Sequence, residues 1–225
     1  MSEALLQYKE YAIMATGPSV YQHPTLVRRL DNLLCDMAAE PEIAHFIMDK
    51  FTNSYVEYFA KMFESAKGQI DILRGADDLG MQDRMLISPA LFSEFIAPKL
   101  KKIVDMAHSY GVKVMFHSCG CIFDYIDGII ETGVEILDPI QITAKGMEPK
   151  RLKEKYGDKL CFHGSIDTQY VLPTGNYEEI RRSVEQVMEA FGRDGGYILA
   201  PSHTVQPDIP MENILALHEM FKEIR

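Results

Sequence analysis

The chain has 225 residues and a formal net charge of -10, with a sequence pI ≈ 5.2 and no dense Lys/Arg cluster, which argues against polyphosphate partners and therefore against nucleic acid. At 47% hydrophobic and 25% charged residues it has the composition of an ordinary globular protein, long enough to bury a core, which excludes extensive disorder. No segment reaches membrane-spanning length, and the opening MSEALLQYKEY places Glu3, Lys9 and Glu10 where a signal peptide needs an apolar run, so a cytoplasmic protein is expected.

In chain order, YAIMATG is a candidate strand, the sixth beside five from residue 69 onward, and Leu26 to Met37 carries a helical pattern in which Cys35 reads as a buried small hydrophobe. From Glu40 to Ala66 apolar residues recur at helical spacing (Ile43, Phe46, Ile47, Phe51, Tyr55, Tyr58, Phe59, Met62), predicting a long amphipathic helix whose aromatic stripe packs in the core. GQIDILRGADD is a short strand ending in acids. Ser88-Pro89 is a helix start, a cap residue before proline at the first helical position, and Gly111 ends that helix after Tyr110.

The strand VKVMFH follows at once, then a helix over about 122–132, the strand VEILDP, a short helix from about Glu148, and the strand in KLCFHGSID. Asn176 with Glu179 forms a capping box for a helix reaching Phe191; GYILAPSH is the next strand, and Pro210 opens the last helix. Strand and helix alternate, which implies parallel strands joined by right-handed crossovers, and the strands are apolar enough on both faces to suit a buried sheet.

Chemistry-bearing residues fall at or just beyond successive strand ends: Asp77 and Asp78, His117 and Cys119, Asp138, His163 and Asp167, Ser202 and His203. Active sites of (β/α)8 barrels are assembled from several strand ends at one mouth, whereas open sheets use one switch point with a Gly-rich turn, of which the sequence has no example. The expectation is one α/β domain over 1–225, a TIM-type barrel with five or six strands, incomplete at the N-terminus relative to the eight of the full fold. His117 and Cys119, two apart at the end of a strand, should project the same way. A histidine and a cysteine filling the top of a barrel is the plain alternative.

Three stretches carry a family likeness: DDLGMQDRMLISPALFSEFIAPKLKKIVDMAHSYGVKVMFHSCG, GMEPKRLKEKYGDKLCFHGSIDTQYVLP and GGYILAPSHTVQPDIPMENILAL. They resemble the uroporphyrinogen decarboxylase superfamily, which includes the decarboxylase of haem synthesis and zinc methyltransferases that move methyl groups between corrinoids and thiols. The resemblance implies a TIM-type barrel. HSC, His117 to Cys119, is similar to the His-x-Cys zinc pair of the methyltransferases. Their third ligand is a cysteine near the last strand; the matching APSHTVQP offers Ser202 and His203, and His203 matches a histidine of the decarboxylases. The N-terminal part of the family pattern, with its arginine-rich segment and aspartate, is not seen.

The resemblance, with the placement at strand ends, implies a metal site of His117, Cys119 and His203, with Cys121 as a fallback ligand. Imidazole and thiolate suit zinc, and three protein ligands leave one position open. Asp77, Asp78 and His163 are candidates for proton handling, and Asp138, Asp167 and Ser202 for holding a small-molecule substrate. The first reading is a zinc-dependent methyltransferase drawing on a corrinoid carried by a partner protein. The alternatives are cofactor-free uroporphyrinogen decarboxylation, for which only Arg74 and Arg84 stand near the mouth, and a non-catalytic fragment or half-barrel subunit that could associate as a homo-oligomer.

Overall fold

The structure, a computed structural model, describes residues 2–224. Its strands are β1 (Met14–Thr16), β2 (Ile72–Ala76), β3 (Lys113–His117), β4 (Ile136–Ile140), β5 (Cys161–Ile166) and β6 (Tyr197–Pro201). They form one sheet in the order β1-β2-β3-β4-β5-β6, with helices between successive strands. The fold is α/β of the TIM-barrel type, with six strands among the described residues. None of the helices among these residues is long and apolar enough to cross a membrane.

The chain divides into two compact units: residues through Leu79 with Leu86–Ser118 and Asp124–Ile136, and Gly80–Met85 with Cys119–Phe123 and the chain from Leu137 onward. In the first, β1, β2 and β3 pair in parallel, with Thr16 opposite Arg74 and Ala76 opposite His117. Ser88 caps its helix as expected, its Oγ accepting from the Leu91 N–H at 3.2 Å; the helix continues through a π-turn at Phe92–Ile96 into Ala97–Ser109. Gly111, at φ 73°, then supplies the left-handed residue that stops it.

In the second unit β5 and β6 pair in parallel, Phe162 opposite Tyr197 and Ile166 opposite Pro201. The helix Tyr177–Phe191 begins with the predicted capping box at Asn176 and Glu179 and packs on β5, on Pro149–Tyr156 and on Met211–Glu223. The ring of Phe191 lies between those of Phe162 and Tyr197, at 4.9 and 5.1 Å between centroids.

Several expectations are corrected. The pattern over Leu26–Met37 is two helices, Gln22–Arg28 and Leu30–Ala39, broken where Arg29 adopts φ 64°, a turn no glycine announces. Cys35 is exposed rather than buried. The long helix Pro41–Ala66 buries Ala44, Met48, Thr52, Phe59, Phe63 and Ala66, while Phe46 and Tyr58 are 63% and 59% exposed. Large side chains dominate a sequence pattern, but the small ones mark the face that comes close to its neighbours. β1 and β6, last in the strand order, are half-exposed, because each has a strand neighbour on one side only. The helix expected over 122–132 is a 3-10 turn, Phe123–Tyr125, followed by Ile126–Glu131.

Candidate functional site

The acids after β2 diverge at once. Asp77 is 1% exposed, and its carboxylate accepts from the Ser19 hydroxyl at 2.6 Å and from the backbone N–H groups of Val20, Tyr21 and Gln22 at 2.9, 2.9 and 2.8 Å. Burial pushes its carboxyl above the ordinary carboxylate range, and these donors pull it back. Both oxygens are committed to fixing the loop before the helix Gln22–Arg28, so the expectation of a catalytic Asp77 gains no support from the geometry. Asp78 is half-exposed; its Oδ2 accepts from Gln22 Nε2 at 3.0 Å, and its Oδ1 lies 3.6 Å from Nε2 of His117.

His117 is the last residue of β3 and is 9% exposed. Its Nδ1 faces Nη2 of Arg74, on the neighbouring strand β2, at 2.5 Å. Guanidinium only donates, so Nδ1 accepts and the ring proton of the neutral imidazole belongs on Nε2, the side of Asp78. The next residue, Ser118, is fully buried, and its Oγ accepts from the Leu79 N–H at 3.0 Å.

Cys119 lies beyond the strand, not on it, so strand alternation does not place its sulfur as expected. A glycine pair places it instead. A Cβ on Gly80 would sit 2.6 Å from the Cys119 carbonyl oxygen, and one on Gly120, at φ 87°, would sit 2.6 Å from the Gly80 backbone. The two backbones pass at a distance that admits no side chain on either. The Cys121 N–H donates to the Met81 carbonyl at 2.8 Å in the same crossing. Cys119 Sγ and an imidazole nitrogen of His203 come within 4.8 Å of each other in the second unit, and a ring nitrogen of His117, two residues before Cys119, completes that group. Cys121 is not in it.

The remaining candidates are in the second unit. Asp138 and His163 are within strands rather than at their ends, and Asp138 Oδ1 meets His163 Nδ1 at 2.6 Å, the carboxylate nearly enclosed and the imidazole a quarter exposed. Asp167 is 4% exposed, and its oxygens accept from the N–H groups of Gln169, Tyr170 and Val171 at 2.8, 3.2 and 3.3 Å. It holds the loop that leads into the short helix Val171–Thr174, which takes up the carboxylate expected to hold substrate. Ser202 is 5% exposed, with Oγ 3.3 Å from the Thr168 hydroxyl.

Sequence reasoning missed a chain of neutral groups across the loops of this unit. Gln141 Oε1 accepts from the Gly120 N–H at 2.9 Å, Gln82 Oε1 accepts from Gln141 Nε2 at 3.0 Å, and Gln82 Nε2 donates to the Thr143 carbonyl at 2.7 Å. It also missed the Asp138–His163 pair and the contact of Arg74 with His117. None of these carries a local signal, since the partners are 21 to 61 residues apart in the chain. The glycines at 80 and 120 were the one readable hint.

A sequence model of the uroporphyrinogen decarboxylase (URO-D) family matches residues 24–224. The chain is 29% identical to uroporphyrinogen decarboxylase of Pseudoalteromonas translucida over 192 residues, covering 80% of this chain and 49% of that protein. It is 28% identical to that of Aliivibrio salmonicida over 200 residues, covering 83% and 51%. It thus spans about half the length of these curated relatives. Among solved structures it superimposes on a methyltransferase from Methanosarcina mazei with a TM-score of 0.78 at 20% identity, covering 99% of this chain and 63% of that one. At such identity the likeness speaks for the fold. With a family match running through nearly all of its length, the chain belongs to the uroporphyrinogen decarboxylase (URO-D) family.

Proposed function

We propose that the chain is a zinc-dependent methyltransferase component, in which His117, Cys119 and His203 hold the metal and a small thiol accepts a methyl group from a corrinoid on a partner protein. The observation that carries the reading is the convergence of two imidazoles and one thiol with ligand atoms within 4.8 Å. The donor set fits: imidazole and thiolate are the zinc-preferring ligands, and three of them leave a position for substrate. Zinc there supplies Lewis acidity that favours a thiolate at neutral pH.

The chain's own residues then have distinct tasks. Cys119 must be deprotonated to serve as a ligand. His163, its Nδ1 fixed on Asp138 at 2.6 Å, presents Nε2 as an acceptor for a proton. The chain of amides through Gln82 and Gln141 offers neutral donors and acceptors, suited to a small polar substrate.

The decarboxylase reading is favoured by the names of the curated relatives and by His203. Its tetrapyrrole substrate carries many carboxylates and asks for arginines. Arg84 is taken up by Asp83 at 2.8 Å, and Arg74 is set against His117.

Elemental analysis of the purified chain decides first. Near-stoichiometric zinc, lost in His117→Ala, Cys119→Ser and His203→Ala, is expected, followed by thiol methylation from added methylcobalamin. Failure to take up zinc under reducing conditions, with turnover of uroporphyrinogen, would replace this reading with the second.

A further inference from the structure

The contact between Arg74 and His117 raises a conflict that the metal reading does not resolve by itself. His117 Nδ1 lies 2.5 Å from Arg74 Nη2, and a guanidinium is permanently charged and has no acceptor atom. The ring nitrogen facing it must therefore be the one with the lone pair. Two ways of binding a divalent metal through this imidazole exist, and each disturbs that contact. If Nδ1 is the ligand atom, the metal needs the lone pair that Arg74 now engages. If Nε2 is the ligand atom, the ring proton moves to Nδ1, and an N–H then points at an N–H donor across 2.5 Å. A cation beside the site also opposes a second cation.

From this exclusion we propose that Arg74 guards the metal site: its guanidinium locks His117 while no metal is bound, and metal loading expels it from the ring. The inference rests on His117 being a ligand. It assigns Arg74, which nothing in the sequence pattern marked for this purpose, as a positioning residue that sets metal affinity. The surroundings suit the exchange. Arg74 projects from β2 directly beside β3, its backbone opposite Met115 and two residues before the Ala76 that faces His117. Asp78, 3.6 Å from Nε2, remains on the far side of the ring to accept its N–H when Nδ1 is the ligand atom, the arrangement in which carboxylates commonly support metal-bound histidines.

The test is zinc affinity, measured by competition with a chromophoric chelator on the full chain for wild type, Arg74→Gln and Arg74→Lys. Removing the charge and the guanidinium fork should tighten zinc binding about tenfold, the scale on which residues just outside a metal's own ligands act. Lysine, still a cation that only donates, should fall between. A wild-type chain that binds zinc poorly while Arg74→Gln binds it stoichiometrically would be the strongest support. Equal or weaker binding by Arg74→Gln, with wild type binding normally, overturns the guard and leaves the metal site standing. Zinc binding by none of the three proteins overturns the metal reading and the guard with it. A second readout serves if Arg74→Gln folds poorly: in wild-type protein labelled with 15N-arginine, zinc should shift the Arg74 side-chain resonances, and unchanged resonances at full loading overturn the exchange.

Discussion

The ends of β2 and β3 in the first unit and the strands β4 and β5 in the second are built from the same parts, used differently. Each has an aspartate whose oxygens are turned onto backbone N–H groups, Asp77 on residues 20–22 and Asp167 on residues 169–171. Each also has a histidine beside a second aspartate. In the second unit that pair is tight, Asp138 against His163 at 2.6 Å; in the first it is loose, Asp78 lying 3.6 Å from His117, and the close neighbour is Arg74. One histidine is held by a carboxylate, the other by a guanidinium. A strand-end aspartate therefore has no default role, and its role depends on whether the preceding or following loop needs its oxygens.

Asp77→Ala should have the largest effect. It strips four donors of their acceptor inside a closed region and should cost about 4 kcal/mol, since buried groups left unsatisfied cost about 1–3 kcal/mol each with partial relaxation. Its neighbour sharpens the contrast: Asp78→Ala, at a half-exposed position, should stay within about 0.5 kcal/mol of wild type while weakening zinc binding about tenfold. Urea unfolding read beside chelator competition separates the two, and equal stability losses would erase the distinction between adjacent acids.

Gly120→Ala comes next. Its φ of 87° and the 2.6 Å approach to Gly80 should cost about 2–3 kcal/mol, lowering the urea midpoint and, by moving the Cys119 loop, the zinc content. Asp167→Ala removes the acceptor of three part-buried loop N–H groups; it should cost about 1–2 kcal/mol and leave zinc content unchanged.

The architecture was legible because its signals are local. Ser88-Pro89, Gly111 and the Asn176–Glu179 box each act within four residues, and the strand–helix alternation is carried by burial period. The division of labour among the acids was not legible, because the donors that claim Asp77 begin 58 residues earlier and Asp138 meets a histidine 25 residues on. Adjacent, chemically identical residues such as Asp77 and Asp78 look equivalent until the fold brings one of them a loop. The outward rotation of Phe46 and Tyr58 has the same origin. Residue size is written in the sequence, but the neighbour that a helix face must approach is not.

The subtlest expected difference involves no stability change at all. Nδ1 of His117 faces a donor-only guanidinium, so its neutral ring should carry the proton on Nε2. Nδ1 of His163 faces a carboxylate, so its ring should carry the proton on Nδ1 and leave Nε2 bare. Long-range 1H–15N spectra of metal-free, 15N-histidine-labelled protein, recorded where both rings are neutral and assigned with His117→Asn and His163→Asn, should show the two opposite tautomers. Adding zinc should change the His117 pattern and leave that of His163 as it was. The same tautomer at both rings would mean that the cation on one and the carboxylate on the other do not govern them, and that the two regions differ in geometry alone.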